Sequence, residues 1–204
     1  MAIGYDRAVI RAWTAVLPIA AARDHQELLD EAHVWLTERF REQESPSPYA
    51  LIMHAARQLE LANCGLREPF LPAVEERLPS FSLRPSSPSW LAGLETVFDA
   101  WLQAGELEGA SRALDNMAPT AAKPGAATLG LATHALFSAK LLAAQGSDPS
   151  EEATQALAGY RKSRAPWWIA KTLTLLATPG GPAEAAEIER TLGIRPHPAS
   201  PLGQ

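Results

Sequence analysis

Apolar residues recur every three or four positions along most of the chain, which is the pattern of amphipathic helices. A clear example is a stripe formed by Leu28, Leu29, Ala32, Trp35, Leu36 and Phe40. Asp24, with Glu27 three residues later, forms a capping-box pattern that predicts the start of this helix. Segments rich in Pro and Gly interrupt the periodicity and indicate turns. The pattern predicts an all-α protein.

The periodicity predicts about ten helices, arranged as about five antiparallel hairpins. The expected ranges are 4–22, 24–42, 48–65, 68–78, 90–103, 106–118, 126–145, 150–163, 166–176 and 183–192. The Pro- and Ser-rich segment 79–89 is either a linker between domains or a long loop between helices. We favour a loop, because the same pattern resumes on both sides. We therefore expect one helical domain over 1–194 and a Pro-rich, disordered tail over 195–204.

One hairpin, over residues 90–118, has the most regular spacing. Its pattern consists of Leu94, Val97, Phe98, Trp101, Gly105, Leu107, Ala110, Leu114 and Met117. Gly105 permits a tight turn, and Ala110 is small where the two helices are expected to cross most closely. This spacing resembles the tetratricopeptide repeat, and it departs from that family at Phe98, where a small residue is preferred.

The resemblance implies an α-solenoid in which the first helix of each hairpin contributes to a concave surface. Residues between the core positions of those helices would then contact an extended peptide or a partner helix. On this basis the predicted partner-binding residues are Glu95, Asp99, Gln103, Ser138, Gln145, Trp167 and Lys171. Trp167 and Trp168 are adjacent, about 100° apart on a helix, so they need not both be buried.

A second resemblance covers residues 160–194, about a sixth of the chain. It is carried by Tyr160-Arg161, Ala165-Pro166-Trp167-Trp168, Ala185, Glu189-Arg190 and Leu192-Gly193. These residues are similar to the end of the helical repeat regions in bacterial MalT-like regulators and signal-transduction ATPases. The chain lacks the ATPase core and the DNA-binding domain of such proteins. The resemblance implies a scaffold in bacterial regulation or complex assembly.

Composition supports helices and narrows the classes of partner. The chain has 38 Ala and 27 Leu against 12 Val plus Ile, a composition that favours helix over sheet. Its 18 basic and 23 acidic residues give a net charge of −5, which disfavours nucleic acid as a partner. The chain has no long uncharged apolar run, so we expect no membrane span. Residues 12–22 loosely resemble a signal peptide, but Asp6 and Pro18 argue against export, and we expect a cytoplasmic protein.

The residues that carry chemistry in other proteins are sparse here. The chain has neither the glycine pattern of a phosphate-binding loop nor a nucleophile-elbow serine. Asp30 and His33 form one helical pair, whereas a metal site in a helical bundle needs two such pairs and further carboxylates. We therefore expect no metal, no cofactor and no catalytic residue, and we favour a protein or peptide partner, with self-association as a further expectation.

Two alternatives to an open binding surface stay open. In the first, the helices close around an apolar pocket for a small ligand, which a ring of Trp and His residues would favour. In the second, the protein is an all-helical enzyme, which convergence of His25 or His33 with a carboxylate from another helix would favour.

Overall fold

The computed structural model describes residues 9, 12, 16, 19, 20, 23, 25–42, 95, 98, 99, 101, 102, 105–121, 128–176 and 180–194. Every regular element in this part of the chain is a helix, and no strand occurs in it. The all-α prediction is therefore confirmed. The predicted helices 48–65 and 68–78, the segment 79–89 and the tail 195–204 lie outside the described residues.

Six helices have both ends within the described residues. They are α1 (Gln26–Glu42), α2 (Leu107–Ala121), α3 (Thr128–Ala144), α4 (Ser150–Lys162), α5 (Pro166–Leu176) and α6 (Gly181–Leu192). The chain divides into two compact units. The first comprises Met1–Phe81 and Ser87–Ala100, and the second comprises Ser82–Ser86 and Trp101–Gln204. Helix α1 lies in the first unit and α2 to α6 lie in the second. The expectation of one domain over 1–194 stays a prediction.

In the first unit, the described side chains of α1 are buried on one face only. Leu29 and Ala32, three residues apart, lie on the buried face, whereas Val34 is 57% exposed. The backbone N–H of Leu29 donates to the carbonyl of His25 over 3.2 Å. That carbonyl accepts the first helical hydrogen bond, so His25 is the N-cap and the helix begins one residue later than the cap at Asp24 predicts.

Two helices in the second unit differ in length from their predicted ranges. Helix α2 continues to Ala121, three residues beyond the predicted end and through Pro119, although a proline at this position lacks the N–H donor and its ring crowds the carbonyl four residues earlier. Helix α6 begins at Gly181, two residues early, because Gly180 takes a left-handed conformation and Pro182 fits the first turn. Helix α5 begins at Pro166, as the sequence predicts, and ends at Leu176.

Helices in the second unit pack chiefly against their neighbours in the chain, α2 on α3, α3 on α4, α4 on α5 and α5 on α6. The most buried of them is α3. Its buried residues cover most of the helix circumference and are Gly130, Ala132, Thr133, Ala135, Leu136, Phe137, Ala139 and Leu141. Such a helix contacts neighbours on several sides and forms the centre of the unit's core.

Four helix ends in the second unit close with one type of turn, in which a backbone N–H bonds to a carbonyl five residues earlier. The bonds run from Glu106 to Trp101, Ser147 to Leu142, Ala165 to Tyr160 and Ile194 to Glu189. Three of the turns place a glycine in the left-handed position, namely Gly105, Gly146 and Gly193. In the fourth, Arg164 takes that position with φ 52°. A residue with a Cβ is strained there by about 1 kcal/mol.

The turn at Gly105 leads the chain back along the buried indole of Trp101. A Cβ added to Gly109 would lie 2.9 Å from Trp101 Nε1, so the closest approach requires glycine. The sequence pattern places the small residue of this crossing at Ala110, one position later. Ala110 is itself fully buried. The two small residues together allow α2 to lie against Trp101.

Candidate partner-binding site

The crossing of α3 and α4 positions the surface that the sequence predicts as a binding site. A Cβ added to Gly159 would lie 2.7 Å from Cβ of Ala132 and 3.6 Å from the carbonyl of Thr128. Glycine therefore allows α4 to approach α3 more closely than any side chain would permit. This contact holds the register between the two helices.

A buried chain of hydrogen bonds lies beside this crossing. Tyr160 is fully buried, and its hydroxyl donates to Thr133 Oγ1 over 3.2 Å. The Thr133 hydroxyl donates in turn to the carbonyl of Leu129 over 2.9 Å. Each buried hydroxyl thus has a partner, as buried polar groups require. These hydrogen bonds fix the orientation of α4 on α3, in addition to the packing between the two helices.

Tyr160 also fixes the rotation of α5. Its ring stacks on Trp168, with 5.8 Å between ring centroids and 12° between planes. Trp168 is therefore buried, at 8% exposed, whereas Trp167, about 100° further around the helix, is half-buried. Nζ of Lys171 lies 5.5 Å from the centre of the Trp167 ring, a cation–π contact. The two adjacent tryptophans thus have different environments.

Helices α3 and α5 each keep a less buried stripe along one side. The α3 stripe consists of residues three or four positions apart, which are Leu131, His134, Ser138, Leu142 and Gln145. The α5 stripe consists of Trp167, Lys171 and Thr174. Four of the predicted binding residues, Ser138, Gln145, Trp167 and Lys171, belong to these stripes. Their role in binding stays a prediction.

Glu95, predicted to contact a partner, has an environment that the sequence analysis did not anticipate. Its side chain is 1% exposed and therefore inaccessible in this structure. The reason is helical periodicity, because Glu95 precedes the buried Phe98 by three residues and shares its face. The expectation of an open position is corrected for Glu95. Asp99 is partly exposed, and Gln103 lies outside the described residues.

Helices α4 and α6 carry acidic residues in ion pairs, whereas α3 and α5 carry no acidic residue. The guanidinium of Arg161 on α4 donates to both carboxylate oxygens of Glu184 on α6, over 2.8 and 2.7 Å. On α6, Arg190 forms an ion pair with Glu187. Helices α3 and α5 contain no Asp or Glu at all. The acidic surface of these four helices therefore belongs to α4 and α6.

His134, on the α3 stripe, has one ring nitrogen in an unusual position. Its Nε2 is buried and has no hydrogen-bond partner within the described part of the chain. Burial also lowers the pKa of the imidazole, because removing water disfavours the charged form. The His134 ring therefore has a hydrogen-bonding atom that no described residue uses.

The structure gives no support for a metal site among the residues that it describes. No group of three or more His, Cys, Asp or Glu side chains comes together there. On α1, Asp30 accepts a hydrogen bond of 2.7 Å from Gln26 Nε2, and both residues are exposed. The position of the His33 side chain lies outside the description, so the pair with Asp30 stays untested.

Comparisons with known proteins add no family. A search against protein-family models finds no match, and searches of curated proteins and of solved structures find no significant match. Within the described residues, no helix is long and apolar enough to cross a membrane. The resemblances to the tetratricopeptide repeat and to bacterial regulators stay untested.

Sequence reasoning missed the residues that create the close helix contacts. Gly109 and Gly159 each lie within a helix, where an isolated glycine costs about 1 kcal/mol relative to alanine. A glycine at such a position commonly has a packing reason, which is the signal that was available. The hydrogen bond from Tyr160 to Thr133 gives no such signal, because its partners lie 27 residues apart.

Proposed function

We propose that the chain is a non-enzymatic scaffold that binds a protein or peptide partner along the α3 and α5 stripes. In this proposal, α3–α4 and α5–α6 are successive antiparallel hairpins of a tetratricopeptide-like solenoid, with α3 and α5 as the first helices. The observation that carries it is the coincidence of the predicted residues Ser138, Gln145, Trp167 and Lys171 with the less buried sides of otherwise buried helices.

Packing between neighbouring helices supports the solenoid part of the proposal. Repeat proteins place most contacts between elements adjacent in the chain, and the second unit follows that rule. A partly exposed aromatic ring, such as Trp167, is the type of group that anchors protein interfaces. The resemblance to repeat regions of bacterial regulators supports a role in regulation or complex assembly in the cytoplasm.

The test uses a photo-crosslinking amino acid placed at single positions of the full chain, expressed in the organism of origin. Ser138, Gln145 and Lys171 are the test positions on the two stripes. Gln155 on α4 and Ala186 on α6 are matched controls, because both are exposed on helices outside the proposed surface. We expect cross-linked protein partners from the test positions and none from the controls.

Cross-links only from Gln155 and Ala186 would move the binding surface to α4 and α6. No cross-link from any position would count against a scaffold role. Circular dichroism and unfolding midpoints of each substituted chain show whether the label has disturbed the fold.

A second candidate is a small-ligand site beside His134, which the unpaired, buried Nε2 favours. A buried nitrogen without a partner costs free energy that a ligand's hydrogen-bonding group would recover. A thermal-shift screen of small molecules against the chain and a His134→Phe variant tests this function. A compound that stabilises the wild type and not the variant would support it, and an empty screen would count against it.

A further inference from the structure

The end of α4, the following turn and the start of α5 carry basic residues and no acidic residue. Between Glu152 and Glu184 the sequence has no Asp or Glu, but it has four basic residues, Arg161, Lys162, Arg164 and Lys171. The whole chain has a net charge of −5. This stretch is therefore cationic against an anionic background.

The carboxylates of α6 are paired or buried. Glu184 binds Arg161 and Glu187 binds Arg190, while Glu189 is 5% exposed. The acids at the start of α4, Glu151 and Glu152, lie about 15 Å from Lys162 along the helix axis. Lys162 and Arg164 are exposed and form no ion pair with any residue that the structure describes.

Three residues after Arg164 in the chain is the half-buried ring of Trp167, with Nζ of Lys171 above it. We call Lys162, Arg164, Trp167 and Lys171 the basic corner. It combines cations with an aromatic face, and it continues into the α5 stripe of the proposed binding surface. A carboxylate-bearing chain with apolar side chains complements both features, because oppositely charged surfaces attract and aromatic rings bury apolar groups.

We propose that the basic corner docks an acidic peptide segment of a partner protein. The inference rests on the proposed scaffold function and names the class of partner for that surface. Lys162 and Arg164 would pair with Asp or Glu side chains of the segment. Trp167, held by Lys171, would contact an apolar side chain beside them. Surface charge pairs of this type set specificity and association rate more than total affinity.

The experiment selects ligands for the full chain from a displayed library of random peptides. We expect the selected peptides to be enriched in Asp and Glu and depleted in Lys and Arg. A selected peptide is then measured by fluorescence anisotropy against Lys162→Gln/Arg164→Gly/Lys171→Gln. Glycine at 164 removes the charge and keeps the left-handed turn. We expect about tenfold weaker binding for this variant, because several exposed charge pairs that each contribute modestly are lost together.

The matched control removes three positive charges elsewhere, with Arg23→Gln/Arg112→Gln/Arg190→Gln, all at exposed positions. It has the same net charge as the test variant, and we expect it to bind within about twofold of wild type. Equal weakening of both variants would show an effect of total charge alone and would overturn the inference. Peptides without an acidic bias, or no selected peptide, would overturn it as well.

Other occupants of the corner have distinct outcomes. Binding to phosphatidylserine vesicles or to heparin that the test variant alone loses, without peptide binding, would overturn the inference in favour of a lipid or a nucleic acid. Dimerisation in sedimentation equilibrium that the test variant alone loses would assign the corner to a second copy, whose Glu151 and Glu152 supply the acids. Partners cross-linked through Ser138 would in each case leave the scaffold function standing.

Discussion

The α3–α4 and α5–α6 contacts bring neighbouring helices together in opposite ways. The α3–α4 contact depends on the absence of a side chain at Gly159, which leaves room for Ala132 and lets the two backbones approach. The α5–α6 contact depends on buried side chains. Leu173 and Ala170 on α5 pack against Ala185 on α6, with Ile188 beside them. A contact of the first kind is broken by adding volume, and one of the second kind by removing it.

The largest effect should come from removing volume at the α5–α6 contact. Leu173→Ala deletes a side chain that is 2% exposed and leaves a cavity, so we expect a loss of about 3 kcal/mol in the free energy of unfolding. Urea denaturation measures it. Leu131→Ala, at a site 41% exposed, is the control and should cost less than about 1 kcal/mol. Equal costs at the two sites would show that α5 and α6 do not share a packed core.

Adding volume at the α3–α4 contact should have the next largest effect. Gly159→Val forces its Cβ into Ala132, and we expect a loss of about 2 kcal/mol in the free energy of unfolding. Ala158→Val, one residue earlier on the exposed side of α4, is the matched control and should cost about 0.6 kcal/mol from helix propensity alone. A neutral Gly159→Val would mean that the two helices can separate without cost.

The hydrogen bonds beside that crossing distinguish it further from the α5–α6 contact, which is apolar. Tyr160→Phe keeps the stacking on Trp168 and removes the hydroxyl that donates to Thr133. We expect a loss of about 1 kcal/mol in the free energy of unfolding, the typical net contribution of one hydrogen bond. A double-mutant cycle with Thr133→Val should recover most of that energy as coupling. Additive effects would contradict the bond.

The sequence predicts features set by neighbouring residues better than features set by residues distant in the chain. Local signals predict the start of α5 at Pro166 and the glycines that follow α3 and α6, Gly146 and Gly193. Helix α1 begins one residue later than the cap at Asp24 predicts, because the carbonyl of His25 accepts the first helical hydrogen bond. Helix α2 ends three residues later than predicted, because it continues through Pro119.

The candidate site was predictable only in part, for a similar reason. Spacing alone placed Ser138 and Trp167 on the open sides of their helices. It misplaced Glu95, since whether a polar residue faces the core is decided by packing partners distant in the chain. Nothing local signals that Tyr160 meets Thr133. The predicted residue Gln103 and the segment 79–89 lie outside the described residues, so those predictions stay open.

The turns that follow α3 and α4 have the same hydrogen bond but a different residue in the left-handed position. Gly146 after α3 and Arg164 after α4 occupy the same left-handed position in the same turn. Open space surrounds a Cβ at Gly146, so Gly146→Arg tests backbone conformation alone. We expect it to cost about 1 kcal/mol in the free energy of unfolding, and Arg164→Gly to gain about half of that. Changes of the same sign at both positions would contradict the shared turn.

The smallest effect should come from the exposed ion pair between Arg161 on α4 and Glu184 on α6. Arg161 and Glu184 meet through two hydrogen bonds, yet their side chains are 51% and 44% exposed, so water and salt screen the attraction. We expect a double-mutant cycle of Arg161→Gln and Glu184→Gln to give a coupling of about 0.3 kcal/mol that disappears at high salt. A coupling several times larger and insensitive to salt would mean that the pair is shielded from water. The ion pair would then stabilise α6 against α4, in addition to the apolar packing of Leu173 against α6.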